Sequence, residues 1–200
     1  MAYCVKTITD LEQLEECEVF SIDHYQWTEG EKPKAYGRMG FLKDYGFVIS
    51  MTAMEADPLR SFMKENDPVY KNSAMEAFLS FSGVSGNREY MNFEMNANGA
   101  LLSAFGTASE RKFIKECTAL RAVCEANIEE DRWTVMLRIP MELIGSLCKR
   151  APLQAGESFT CNFYKICETR EYEHYASFAP IISKTPNFHL PEFFKEAVIV

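Results

Sequence analysis

Short runs in which apolar and polar residues alternate recur along the whole chain, and a period of two is typical of β-strands with one buried face. The clearest run is Arg132–Ile139, where every second residue from Trp133 onwards is apolar. The pattern predicts ten strands, at Tyr3–Ile8, Glu18–Asp23, Ala35–Phe41, Tyr45–Glu55, Ser73–Phe81, Glu89–Asn96, Ala100–Phe105, Leu120–Ile128, Arg132–Ile139 and Ser158–Glu168.

Helical signals are few and short, and turn signals at 83–87, 98–99 and 129–131 separate the strands. The expected helical segments are Leu11–Glu16 capped by Asp10, Glu110–Lys115 capped by Ser109, and a turn from Pro140 to Leu147. A parallel α/β fold is excluded because it would need helices between its strands. The sequence therefore predicts one all-β domain, residues 1–200, folded as an antiparallel sandwich or jelly roll with a few short helices.

The predicted strand Glu89–Asn96 has an unusual polar face. Met91, Phe93 and Met95 fall on one side, which we expect to be core. The other side carries an aromatic ring followed by an amide, a carboxylate and an amide, at Tyr90, Asn92, Glu94 and Asn96. Carboxylates accept from neighbouring hydroxyls and amides both donate and accept, so this face suits a ligand rich in hydroxyl groups.

Two further acids lie in largely apolar strands. Glu76 falls within Ser73–Phe81, and Glu55 ends the apolar face of Tyr45–Glu55. An unpaired buried charge is costly, so each needs a partner or a ligand. The alternative to a ligand is pairing with arginines that hold the sheets together, for which Arg88, Arg111 and Arg138 are available.

Composition and charge exclude several classes of function. The chain has 200 residues, 47% of them hydrophobic, with 21 Lys and Arg against 29 Asp and Glu, for a net charge of −8. An acidic surface repels phosphate backbones and anionic lipids, so we expect no nucleic-acid or membrane partner. No apolar run is long enough to span a membrane and the N-terminus lacks a signal-peptide pattern, so we expect a cytoplasmic protein with its seven cysteines reduced.

Four motifs, in order, resemble those of a known family. Residues 67–78 are similar to the Asp-x-x-Trp-x-Asp-Ser-x-x-Glu-x-Phe signature of family 9 carbohydrate-binding modules, which belong to the DOMON-like β-sandwiches. Residues 90–99 resemble the family's Tyr-x-Asn-Phe-Glu-x-Asn-x-x-Gly strand and turn. Residues 162–165 and 188–194 are similar to its Asn-Phe-Tyr-Lys and Phe-His-x-Pro-Glu-x-Phe segments, and the resemblance spans roughly residues 15 to 200.

The resemblance implies a sandwich that holds the end of a sugar between two aromatic rings. Tyr70 stands where the family has a stacking Trp, and Glu76 where it has an acid that binds hydroxyls. For the second ring the candidate is Phe178, with Tyr175 and Tyr172 behind it, and Arg88 or Arg111 would supply the family's guanidinium.

The chain also departs from the family pattern. Tyr70 replaces a Trp, Asn72 replaces an Asp, and Lys195 stands where a Gly is usual. The smaller ring at position 70 offers less stacking area. The family modules carry structural calcium, but the sequence has no dense run of acids typical of a calcium loop, so no cofactor is expected.

Three functions remain open from the sequence. The first is non-catalytic binding of a mono- or oligosaccharide in a concave cleft formed by Tyr70, Glu76, Asn92, Glu94, Asn96, an arginine and a late aromatic residue. The second is a glycoside hydrolase that uses two of Glu76, Glu94 and Glu55. The third is a DOMON-like domain for another small ligand, such as haem held by methionine and one of His24, His174 and His189.

Overall fold

The computed structural model describes residues 1–30, 32–81 and 88–200. These contain fourteen strands: β1 Tyr3–Ile8, β2 Val19–Ile22, β3 His24–Gln26, β4 Lys34–Leu42, β5 Gly46–Met54, β6 Ala74–Ser80, β7 Tyr90–Asn96, β8 Leu101–Gly106, β9 Arg111–Phe113, β10 Val123–Ile128, β11 Trp133–Pro140, β12 Ser158–Cys167, β13 His174–Ser177 and β14 Lys195–Ile199. Two short α-helices, α1 Ile114–Cys117 and α2 Met141–Cys148, and three 3-10 turns, Glu12–Glu16, Val69–Lys71 and Pro191–Phe193, complete the described elements.

The strands form two layers that share one strand. The first sheet has the order β9-β8-β7-β6-β12-β14, with β13 beside the second half of β12 and β3 beside β13. The second sheet has the order β10-β11-β5-β4, with β2 on the free side of β4. The first half of β1 pairs with β14 and its second half with β4, so β1 connects the two sheets.

The prediction of an all-β fold with a few short helices is confirmed, whereas the purely antiparallel detail needs correction. Strand β1 runs parallel to both β14 and β4, and the other strand pairs are antiparallel in the described part of the chain. The β1–β14 pair joins the two ends of the chain and the β1–β4 pair joins residues 6–8 to 40–42, and such non-local pairing leaves no mark on local alternation.

Between the sheets lies one large apolar core to which both sheets contribute alternate residues. Phe20 of β2 stacks on Phe163 of β12, with ring centroids 3.8 Å apart and an interplanar angle of 6°. Trp133 is fully buried on β11, as its alternation predicts. Burial of each such ring contributes roughly 1.5–3 kcal/mol, so the core fixes which face of every strand points inwards.

All ten predicted strands are present, with ends shifted by up to three residues. The four that the pattern missed are β3, β9, β13 and β14, of which three have only three or four residues. The predicted helix over Glu110–Lys115 is wrong, because residues 111–113 pair with β8 and the helical turn begins only at Ile114. The predicted turn at 83–87 lies outside the described residues, and no described helix is long and apolar enough to cross a membrane.

The outer face of the first sheet is only partly covered. A second apolar cluster, built on Phe78, Tyr90 and Tyr164, packs there against the segment that carries Phe188 and Phe194. Phe188 stacks on Tyr164 with centroids 4.1 Å apart. The C-terminal segment therefore closes one part of this face and leaves a cleft beside it.

Candidate functional site

A cleft of about 520 Å³ opens on the outer face of the first sheet, within the ~300–1,000 Å³ usual for small-molecule sites. Its floor is formed by the outward side chains of β6, β7 and β8, and its walls by the turn at Tyr70, by β9 and α1, and by residues 186–189. We call this the outer cleft. Of the residues predicted to bind a ligand, the structure places six in it: Tyr70, Glu76, Asn92, Glu94, Arg111 and Tyr175.

Two carboxylates lie side by side on the floor. Glu76 of β6 is the direct cross-strand partner of Glu94 of β7, so their Cβ atoms are separated by roughly 4.5–5.5 Å. Their side chains are 3% and 5% exposed. Burial raises the pKa of Glu94 to about 7, and burial together with the charge of Glu94 raises the pKa of Glu76 well above its usual value. The pair therefore holds a proton more readily than two exposed carboxylates would.

Two cleft-lining residues, Asn92 and Glu94, each keep a buried acceptor that has no donor among the described residues. Asn92 Nδ2 donates to Glu94 Oε1 at 3.0 Å. The other two oxygens of these groups, Asn92 Oδ1 and Glu94 Oε2, are buried and have no hydrogen-bond partner in the described part of the chain. Buried acceptors are normally satisfied, so this pair indicates a place where a ligand donates hydrogen bonds.

Aromatic rings flank this polar floor. Tyr70 is half-buried in the 3-10 turn Val69–Lys71 and lines the outer cleft. Tyr175 enters from β13, and its hydroxyl donates to Glu173 Oε1 at 3.0 Å. Phe188 also lines the cleft, but its ring is 6% exposed and stacked on Tyr164. Tyr70 therefore offers the more accessible ring.

A guanidinium is anchored at one end of the cleft. Arg111 Nη1 donates to the Tyr90 hydroxyl at 2.8 Å and to the backbone oxygens of Thr107 and Ala108 at 3.3 and 2.9 Å. The Tyr90 hydroxyl lies 2.8 Å from His189 Nδ1. Burial and the charge of Arg111 lower the pKa of His189 to about 4, so the ring is neutral and Nδ1 accepts from Tyr90.

Three predicted site residues lie elsewhere. Phe178 packs between the sheets, with its ring centroid 5.8 Å from that of Tyr3 and 5.6 Å from that of Phe20. The structure therefore places it in the core. The exposed Arg88 lies 3.7 Å from Glu192 in an ion pair and does not line the cleft.

Asn96 shares the outward face of β7 but is covered by the segment before β6. Its Nδ2 donates to the backbone oxygen of Phe62 at 2.9 Å, and its Oδ1 accepts from the backbone N–H of Asn98 and Ala100. These bonds hold the turn in which Gly99 adopts a φ of +76°. Asn96 therefore has a structural position, because a loop distant in sequence covers the end of its strand.

Glu55 and Tyr172 also lie away from the outer cleft, beside a second surface pocket. Glu55 Oε2 lies 3.5 Å from Lys165 Nζ and accepts from Trp133 Nε1 at 2.9 Å. Burial raises the pKa of Glu55, but the ammonium of Lys165 and the hydrogen bonds to the carboxylate outweigh it, so the net pKa is lowered. This acid is paired within the protein, by a lysine and not by one of the arginines that the sequence offered as partners.

Sequence reasoning missed several residues of the cleft wall, which include Lys112, Phe113, Glu116, Glu168 and Phe188. Glu168 is the next residue after β12 and lies beside the turn of Tyr70, whose backbone oxygen accepts from the Glu168 N–H at 3.0 Å. Alternation along β12 could have suggested an outward side for this residue, but no signal marks residues 112–116. The sequence predicted a helix over Glu110–Lys115, where the structure has strand β9.

Side chains that bind metal ions are not clustered in the described part of the chain. No group of three or more His, Cys, Asp or Glu side chains among them could hold a metal ion. Asn72, where the family motif has Asp, uses its side chain internally: Nδ2 donates to Ser61 Oγ and Oδ1 accepts from the Phe62 N–H. The buried rings of His174 and His189 are engaged by Lys165 and Tyr90.

The fold is a β-sandwich with a cleft on the outer face of one sheet. The model of carbohydrate-binding family 9 matches residues 5–199, and the chain belongs to this family. No curated protein matches the chain.

Solved structures resemble the chain over its whole length. A proposed carbohydrate-binding protein from Bacteroides uniformis has a TM-score of 0.81 at 20% identity, covering 100% of this chain and 99% of that one. A family 9 carbohydrate-binding module from Caldicellulosiruptor kristjanssonii has TM-scores of 0.72 in complex with cellotriose and 0.69 in complex with glucose, both at 14% identity, covering 100% of this chain and 93% and 96% of the other. At these identities the likeness shows the fold.

Proposed function

We propose that this protein binds the end of a mono- or oligosaccharide in the outer cleft without cleaving it. The observation that carries the proposal is the row of buried acceptors beside an accessible ring. Asn92 and Glu94 line the cleft together with Tyr70, and their buried Oδ1 and Oε2 atoms have no donor in the described part of the chain. Sugar hydroxyls would donate to these oxygens while a C–H face of the sugar packs against Tyr70.

The comparisons support a saccharide as the ligand. The chain belongs to carbohydrate-binding family 9, and the structure of a family 9 module with the same fold holds cellotriose or glucose. Arg111 would complete the site by donating to a ring or hydroxyl oxygen, because its position is already set by Tyr90 and two backbone oxygens. Tyr175 and Phe188 would bound the sugar from the side opposite the acids.

The placement of the acids favours binding over hydrolysis. A glycosidase needs two carboxyl groups that flank the scissile bond, ~5–9.5 Å apart. Glu76 and Glu94 are direct neighbours on one sheet face, and Glu55 belongs to the separate cluster around Lys165. Incubation with cellotriose should therefore release no new reducing ends, and release that disappears in Glu76→Gln would overturn the non-catalytic assignment.

Calorimetric titration tests the site directly. Glucose, cellobiose, cellotriose and xylose should be titrated into the wild-type protein, with at least one giving a saturable heat. Tyr70→Ala should remove that heat, and Tyr172→Ala is the matched control because Tyr172 is 48% exposed and lies outside the outer cleft. Equal affinity in wild type and Tyr70→Ala would exclude the outer cleft as the sugar site.

A further inference from the structure

The outer cleft carries more negative than positive side chains. Four carboxylates line it, on Glu76, Glu94, Glu116 and Glu168, against two basic groups, on Arg111 and Lys112. Within the described residues, no basic side chain forms an ion pair with Glu76, Glu94 or Glu168. A neutral sugar supplies no positive charge to balance these carboxylates when they ionise.

We propose, building on the sugar-binding function above, that the preferred ligand is an amino sugar whose free ammonium group lies between Glu76 and Glu94. The chemical class is a hexosamine or an oligosaccharide that ends in one. Its ring would pack on Tyr70, and its hydroxyls would reach Arg111 and Asn92.

The first argument is the number of donors that the floor requires. Asn92 Oδ1 and Glu94 Oε2 are unpartnered, and each belongs to a side chain that is at least 95% buried. Asn92 Nδ2 already donates to the other oxygen of Glu94, so the amide cannot turn to supply the missing donor without losing that bond. An ammonium carries three N–H donors on one atom and can serve several acceptors together, whereas each hydroxyl donates once.

The second argument is the repulsion between the acids. Two ionised carboxylates on directly paired residues repel each other at short range in a water-poor site. Arg111 is close enough to influence Glu94, but its Nη1 is directed at Tyr90 and two backbone oxygens. A bound cation removes the repulsion, and a hydroxyl does not. Burial raises the pKa values of Glu76 and Glu94, so the unliganded pair holds protons that a bound cation would displace.

The other charged groups around the pair do not change this balance. Glu168, after β12, adds negative charge and raises the pKa of both acids. His189 is neutral because its pKa is lowered to about 4. Lys112 is exposed and lines the cleft wall, as does Glu116 on α1. The charge of Lys71 acts on Glu168, whose pKa burial nevertheless raises.

Titration calorimetry at pH 6.5 and fixed ionic strength separates the candidate ligands. Glucosamine, glucose and N-acetylglucosamine share the same ring, but only glucosamine is a cation. Glucosamine should bind at least tenfold more tightly than glucose, and N-acetylation should remove the gain. Binding of the cation should also release protons from the acid pair, which appears as a heat that differs between phosphate and imidazole buffers.

A charge-neutral variant locates the effect. Glu94→Gln keeps the shape of the side chain and should lower the glucosamine-to-glucose affinity ratio at least fivefold. Glu125→Gln is the control, since Glu125 is exposed on β10 in the second sheet and should leave the ratio unchanged. Glu76→Gln provides a second variant if Glu94→Gln proves unfolded by circular dichroism.

The outcomes distinguish this inference from the proposed function. Glucose binding as tightly as glucosamine overturns the amino-sugar preference and leaves sugar binding intact. A preference for glucosamine that persists in both Glu94→Gln and Glu76→Gln overturns the placement of the ammonium. The absence of binding by every sugar, in a protein shown to be folded, overturns both.

Discussion

Lys165 Nζ on β12 lies 2.8 Å from His174 Nε2 on β13, and both residues are buried. An ammonium can only donate, so Nε2 accepts and the ring proton is on Nδ1, which donates to the Tyr172 backbone oxygen at 2.7 Å. The same ammonium donates to Ser73 Oγ at 2.6 Å and faces Glu55. A fully buried lysine is thus held by a carboxylate, a hydroxyl and a neutral imidazole.

Lys165→Met should strongly destabilise the protein. Removal of the cation leaves Glu55 without its counter-charge, and breaking one side of a buried ion pair costs about 3–5 kcal/mol. Urea denaturation at pH 7 measures the change in the free energy of unfolding. The double variant Lys165→Met with Glu55→Gln should recover part of the loss, and equal stability of the single variant and wild type would show that the pair contributes nothing.

His174→Gln should reduce the sensitivity of the fold to acid. Burial and the charge of Lys165 lower the folded-state pKa of His174 to about 3 from 6.5. Between these two pH values the unfolded state binds more protons than the folded state. The contribution of the neutral His174 ring to the free energy of unfolding is therefore present above about pH 6.5 and is lost as the pH falls towards 3. Between pH 7 and pH 4 the wild type should lose on the order of 2–3 kcal/mol more than the variant. Parallel urea titrations at the two pH values measure this difference, and identical pH dependence would contradict it.

Glu94→Gln should stabilise the unliganded protein at alkaline pH. Burial raises the pKa of Glu94 from 4.5 to about 7, so between these pH values the folded state binds a proton that the unfolded state has lost. Proton binding by Glu94 therefore stabilises the fold fully below pH 4.5, and this stabilisation is lost as the pH rises through 7. At pH 8 the variant should be more stable than wild type by about 1–3 kcal/mol, with no gain at pH 4.5. Thermal unfolding at both pH values, with Glu125→Gln as control, tests this. A loss of stability at pH 8 would show that the ionised Glu94 is well solvated.

Phe178→Ala should affect stability and leave ligand affinity unchanged. The ring packs against Tyr3, Phe20 and Phe163 between the sheets, and its removal should cost about 2–4 kcal/mol. Tyr70→Ala should have the opposite effect: it should remove sugar affinity and lower the free energy of unfolding less than Phe178→Ala does. Urea denaturation and calorimetry on the two variants separate the roles, and a loss of affinity in folded Phe178→Ala would return this ring to the binding site.

The faces of individual strands followed from the sequence. Alternation in β7 predicts that Asn92 and Glu94 point away from the core, and the structure places both on the floor of one cleft, beside Glu76 of β6. The reason is that strand geometry sends successive side chains to opposite faces, so a local pattern is sufficient.

Residues whose environment depends on distant segments could not be placed in this way. Phe178 was the candidate for the second ring that the family resemblance implied, yet its position between the sheets follows from the path of the chain after β13. Asn96 has the same alternation as Glu94, but residues 60–62 cover it.

Local alternation, turn residues and composition therefore determined the all-β class, the strand positions and the side of the sheet on which the acids lie. The tertiary structure decided which of those acids meet: Glu76 opposite Glu94, and Glu55 beside Lys165. It also decided that residues 186–189 and Glu168 enclose the cleft. These outcomes depend on strand register and on contacts between segments up to about a hundred residues apart, such as Tyr90 with His189. Pairing energies of that kind arise only when the sheets assemble, so no local pattern in the chain encodes them.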